Sequence, residues 1–100
     1  MFATVTQSGG MLILRDQHGQ QVGNLTISNG EFLGHSRDFV VIKYGDMIIT
    51  MDQNQSRLGS TPLPSNFKIQ GVTEAGFYAR TGNMIVVFDR YCNRIDQYPI

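Results

Sequence analysis

Three aspartates stand at corresponding places along the chain, Asp16, Asp52 and Asp89, separated by 36 and 37 residues. Each follows a short apolar run and opens a polar segment: Asp16-Gln17-His18-Gly19, Asp52-Gln53-Asn54-Gln55 and Asp89-Arg90-Tyr91-Cys92. Carboxylates that converge can hold calcium or share acid–base work. Carboxylates carried on successive units are spread apart, and no Asp-x-Asp-x-Asp-Gly loop is present to gather oxygen ligands. Their expected role is therefore local, each oxygen accepting backbone amides two residues on and closing a turn.

The other chemically capable residues are few. His18 and His35 are the only histidines and Cys92 the only cysteine, so no internal disulfide can form. Neither histidine has Cys, His or Asp partners at zinc-ligand spacing. A set such as Cys92, His35 and Asp38 can be assembled on paper, but no nucleophile elbow surrounds any member. The glycines form neither a dinucleotide fingerprint nor a phosphate loop. No cofactor and no enzymatic activity are expected. Arg90, Tyr91 and Arg94 make one local basic–aromatic group, able to stack on a ring or grip a carboxylate. The candidate binding residues are thus Asp16, His18, Asp52, Asn54, Asp89, Arg90, Tyr91 and Arg94, all on or beside the three aspartate turns.

The elements that must position them are strands. Among 100 residues there are only three alanines, two glutamates and two lysines, against eleven glycines scattered every few positions. Val, Ile, Thr, Phe and Tyr fill the intervals, a composition suited to pleated surfaces punctuated by turns. An all-β fold follows. The spacing that relates the aspartates also relates glycine and apolar positions: Gly9, Gly45 and Gly82; Met11, Met47 and Met84; Ile13, Ile49 and Val86. The chain reads as a single domain, 1–100, of three internal repeats at about 2–37, 38–75 and 76–100.

Each unit reads as a meander of short antiparallel strands: Phe2–Thr6, Met11–Arg15, Val22–Ile27 and Glu31–His35; Phe39–Lys43, Met47–Met51, Arg57–Ser60 and Phe67–Val72; Phe77–Thr81, Met84–Phe88 and Arg94–Tyr98. The last unit lacks its fourth strand, leaving eleven strands in place of twelve. Thr61-Pro62-Leu63-Pro64 is expected to be an extended loop outside the ladders, carrying Leu63 outward. Arg37 and Asp38 are expected to pair locally.

The methionine-led strands do not alternate apolar with polar, and a strand greasy on both sides needs cover on both faces. Propeller-like blades stacked face to face meet that need, and two chains would supply six blades, hence an expected homodimer. A β-trefoil-like closed barrel is the alternative. Eight Lys and Arg balance eight Asp and Glu, so no basic field is available for nucleic acid or an anionic membrane. No apolar run approaches the ~18 residues of a membrane span, and Met1–Gln7 lacks the basic and apolar segments of a signal peptide. The expectation is a cytoplasmic binding or assembly module acting through its hairpin turns, with a protein partner. A small carbohydrate-binding module is the alternative, its tyrosines stacking on a sugar face.

Overall fold

The computed structural model describes residues 2–64 and 66–100. Among them are eleven strands: β1 (Thr4–Ser8), β2 (Met11–Arg15), β3 (Gln21–Thr26), β4 (Glu31–His35), β5 (Phe39–Tyr44), β6 (Met47–Asp52), β7 (Arg57–Pro62), β8 (Phe67–Val72), β9 (Gly76–Thr81), β10 (Met84–Asp89) and β11 (Arg94–Pro99). The described residues contain no helix. The strands form three antiparallel sheets: a first of order β1-β2-β3, a middle of order β4-β5-β6-β7 and a third of order β8-β9-β10-β11. Among the described residues no sheet closes on itself, so the structure shows no closed barrel: the end strands of each sheet pair with a strand on one side only.

The sheets start one strand earlier than the sequence units. Glu31–His35, read as the close of the first unit, pairs instead with β5, and Phe67–Val72 pairs with β9. The connections explain this. Between β4 and β5 the chain turns tightly, with the Ser36 amide donating to Phe39 O at 2.9 Å and Ser36 Oγ accepting the Asp38 amide at 3.1 Å. Between β8 and β9 the Thr73 amide donates to Gly76 O at 2.7 Å. The links into β4 and β8 run between sheets, through Asn29 and Asn66 in the left-handed region. Among the described residues the first sheet has three strands and the other two have four each, so the short sheet is the first and not the third.

Two cores lie on opposite sides of the middle sheet. The first joins Phe2, Leu12, Leu14, Leu25 and Ile27 to Val40, Ile42 and Met51. The second joins Phe39, Val41 and Ile48 to Phe77, Val86, Phe88 and Cys92. The run Phe39-Val40-Val41-Ile42 is fully buried because alternate side chains enter different cores. Cover on both faces, expected of the methionine-led strands, is found in full only for β6, where Ile48 faces the second core and Ile49 and Met51 the first. In β2 and β10 one face is buried, through Leu12 and Leu14 or Val86 and Phe88. Ile13, Ile85 and Val87 on their other faces are half-buried, because these sheets end the stack.

The proline segment also differs from expectation. Pro62 is the last residue of β7, opposite Met47, where an edge strand tolerates a missing amide. The Leu63 amide donates to Asp46 O at 2.7 Å and its side chain packs against the second core rather than pointing outward.

Candidate functional site

The three aspartates close three hairpins with one hydrogen-bond pattern. Asp16 Oδ1 accepts the amides of His18 at 2.8 Å and Gln20 at 3.0 Å. Asp52 Oδ1 accepts those of Asn54 and Ser56, both at 2.9 Å. Asp89 Oδ1 accepts those of Tyr91 and Asn93, also both at 2.9 Å. In each turn the fourth residue, Gly19, Gln55 or Cys92, has positive φ and donates its amide to the aspartate carbonyl. The carboxylates are thus occupied with backbone amides, and the turn role read from the sequence accounts for them. Among the described residues no group of three or more His, Cys, Asp or Glu lies close enough to hold a metal.

What the frame presents differs from turn to turn. His18, Asn54 and Tyr91 occupy the same step and all are exposed, the tyrosine 54% so. Behind them the second and third turns lean on the preceding sheet. The Gln53 carbonyl lies over Gly23 of β3, and the Tyr91 carbonyl over Gly59 of β7. The Gln55 side chain pairs with both backbone groups of Thr26, at 3.3 and 3.4 Å. This covers part of the open edge of β3.

The third turn is held most firmly. Buried Thr50 donates its hydroxyl to Arg90 O at 2.6 Å, and Cys92 Sγ lies 3.7 Å from the same hydroxyl. Burial pushes the Cys92 thiol above its ordinary range, an effect the Thr50 hydrogen bond partly opposes. The Arg90 guanidinium donates to Glu74 O at 2.5 Å, lies 4.0 Å from the Asp38 carboxylate and sits 5.5 Å from the Phe39 ring centre. Arg37 pairs with Glu74 at 4.0 Å. Arg37 and Asp38 therefore pair away from each other: long-range partners on the β8–β9 and β10–β11 turns replace the local pair expected from their adjacency.

Of the eight candidate residues, the structure brings Asp89, Arg90 and Tyr91 into one turn and sets Arg94 over the Phe88 ring, 5.9 Å from its centre. Asp16 and His18 line an open cleft of about 340 Å³ with Phe2, Ala3, Gln17 and Arg37. A second cleft of about 400 Å³, lined by Thr26, Tyr44, Ile49, Met51, Gln55 and Arg57, was not visible in the sequence. Its walls come from two sheets, and burial raises the Tyr44 phenol above its ordinary value. Glu74, the anchor of Arg90, was likewise missed, since nothing in a sequence marks a carbonyl as an acceptor 16 residues away.

No helix among the described residues is long and apolar enough to cross a membrane. Comparison with protein-family models, with curated proteins and with solved structures found no match.

Proposed function

We propose that the chain is a non-enzymatic binding or assembly module built of three propeller-blade-like repeats, which self-associates and meets other molecules through its aspartate-closed hairpin turns. One observation carries the reading: an unvarying hydrogen-bonded frame at three hairpins presents a different exposed residue each time, His18, Asn54 and Tyr91. A constant scaffold with variable tips is how recognition loops are commonly built. The same 36- and 37-residue spacing runs through frame, bulge and positive-φ step, which supports the repeat.

The test uses the variant His18→Ala/Asn54→Ala/Tyr91→Ala, which leaves the three aspartates in place. The wild-type chain is screened against a displayed random-peptide library and a glycan array. The expected result is enrichment of peptide ligands that the variant fails to hold. Ligands retained equally by the variant, or no ligand in either screen, overturn the proposal.

A small-glycan ligand is the second reading, favoured by the exposed Tyr91 ring beside exposed Asn93 and Arg94. A glycan array with no binding at millimolar sugar disposes of it.

A further inference from the structure

The two ends of the stack are built differently. Pairing register and alternation place Thr4, Thr6, Ser8, Ile13 and Arg15 on the outer face of the first sheet, which is largely polar. The same rules place Tyr78, Ile85, Val87 and Tyr98 on the outer face of the third. Ile85 and Val87 correspond in the repeat to Leu12 and Leu14 of the first sheet and to Ile48 and Thr50 of the middle one, all buried beneath the next sheet. The third sheet thus carries the same kind of face with no further sheet over it among the described residues, leaving Ile85 and Val87 half-buried. Tyr78 lies across Gly71, which flattens the surface.

That face cannot take a further sheet in the manner of the first two. Gly23 and Gly59, opposite Leu14 and Thr50, have no side chain because the next sheet's turn occupies the place where a Cβ would be. In the third sheet the residue opposite Val87 is Asp96. Its side chain bars a turn from seating there, and with it the head-to-tail joining that would close two chains into a ring.

The charges on the face suit a different partner. Arg80 and Asp96 flank β10 at opposite corners, Arg80 level with Ile85 and Asp96 level with Val87, and exposed Lys68 stands on the far side of Arg80, on β8. Among the described residues neither has an ion-pair partner within the chain. A two-fold axis lying in the face, perpendicular to the line joining them, sets each arginine over the aspartate of a second copy. Tyr78 and Tyr98, at the other two corners, then lie close to the axis. The strands of the copies cross steeply, toward the orthogonal class of sheet packing.

We infer that the outer face of the third sheet docks on the same face of a second copy of this chain, Arg80 of each meeting the partner's Asp96. This rests on the self-associating reading above and names its surface. A face of four strands by six residues covers about 400 Å², short of the ~800 Å² per partner of a standard interface. The dimer is therefore weak and its formation concentration-dependent.

Sedimentation velocity of the full chain over a wide concentration range tests it. The wild type is expected to show a reversible monomer–dimer equilibrium. Asp96→Arg sets like charges together and weakens it tenfold or more, Arg80→Asp/Asp96→Arg restores it, and Ile13→Arg on the first sheet leaves it unchanged. A wild type that stays monomeric, a double variant that fails to recover, or Ile13→Arg as damaging as Asp96→Arg overturns the inference. Circular dichroism melts confirm that the variants fold. Should one melt, Tyr98→Cys with a short bis-maleimide decides: linked pairs support the face-to-face dimer, and none refutes it. A monomer that still holds ligands through its turn tips refutes this inference alone and leaves the loop reading intact.

Discussion

Gly59→Ala is the sharpest probe of how the middle and third sheets are held together. Gly59 lies inside β7 without positive φ, so alanine fits its backbone. By local preference the change is favourable by about 0.5–1 kcal/mol, because glycine loses more freedom on folding. The new methyl, however, falls on the Tyr91 carbonyl and its backbone. No rotamer change moves a backbone. The turn is also pinned by the Thr50 hydroxyl on Arg90 O at 2.6 Å and by the two Asp89 bonds at 2.9 Å. Overpacking of this kind costs about 1–3 kcal/mol. Because the clash is with backbone, the cost lies at the upper end of that range and the net loss is about 2 kcal/mol, a fall in Tm of about 8–16 °C for a domain of this size. Urea titration and a thermal melt measure it, and Thr50→Val supplies the control. With the turn already displaced, the second change costs less than it does alone. A neutral or stabilising Gly59→Ala means that the turn is not seated on β7 and the account of sheet stacking is wrong.

Further outcomes are expected at the same joints. Asp52→Ala removes the one oxygen that accepts two amides and loses about 1–2 kcal/mol in urea titration, whereas Asp52→Asn, which keeps an oxygen there, loses less than half of that. Thr50→Val leaves Arg90 O without its donor and costs about 1–2 kcal/mol by the same measurement. Buried Cys92 reacts with iodoacetamide far more slowly in the native chain than in urea. Burial raises the Cys92 thiol and the Tyr44 phenol, so the folded state holds both protons more tightly than the unfolded state does. Their contribution to stability is whole below the ordinary thiol range and is lost as pH climbs through the raised folded values. Urea midpoints should fall in alkali, and less steeply in Cys92→Ala.

The strands were legible because their residues speak locally. Met11–Arg15, Glu31–His35 and Phe67–Val72 each begin directly after a Gly or Asn and end directly before an Asp, Ser or Thr, and the structure keeps those bounds. The aspartate turns were legible for the same reason, since donor and acceptor lie within four residues. Sheet membership was not. β4 follows β3 in sequence by about the same interval as it precedes β5, and only the Ser36 and Thr73 turns decide which neighbour is taken. The partners of Arg90 and the role of Thr50 depend on carbonyls 16 and 40 residues away, which no local pattern marks. The double cover expected of three strands was realised in one because a stack of three has a single interior layer.

Among the described residues β1 has no strand on its outer side, whereas β5 and β9 each have one, and its sheet packs on the rest through one side. Amide protons along that bare border have no carbonyl to shield them and should exchange with solvent soonest. The leaf they belong to is the one that local opening sheds first, while the centre, gripped on two sides, persists until the whole molecule gives way. Durability in this chain is therefore graded along its length, and the amino-terminal quarter is where heat, protease or a competing strand would find its entrance.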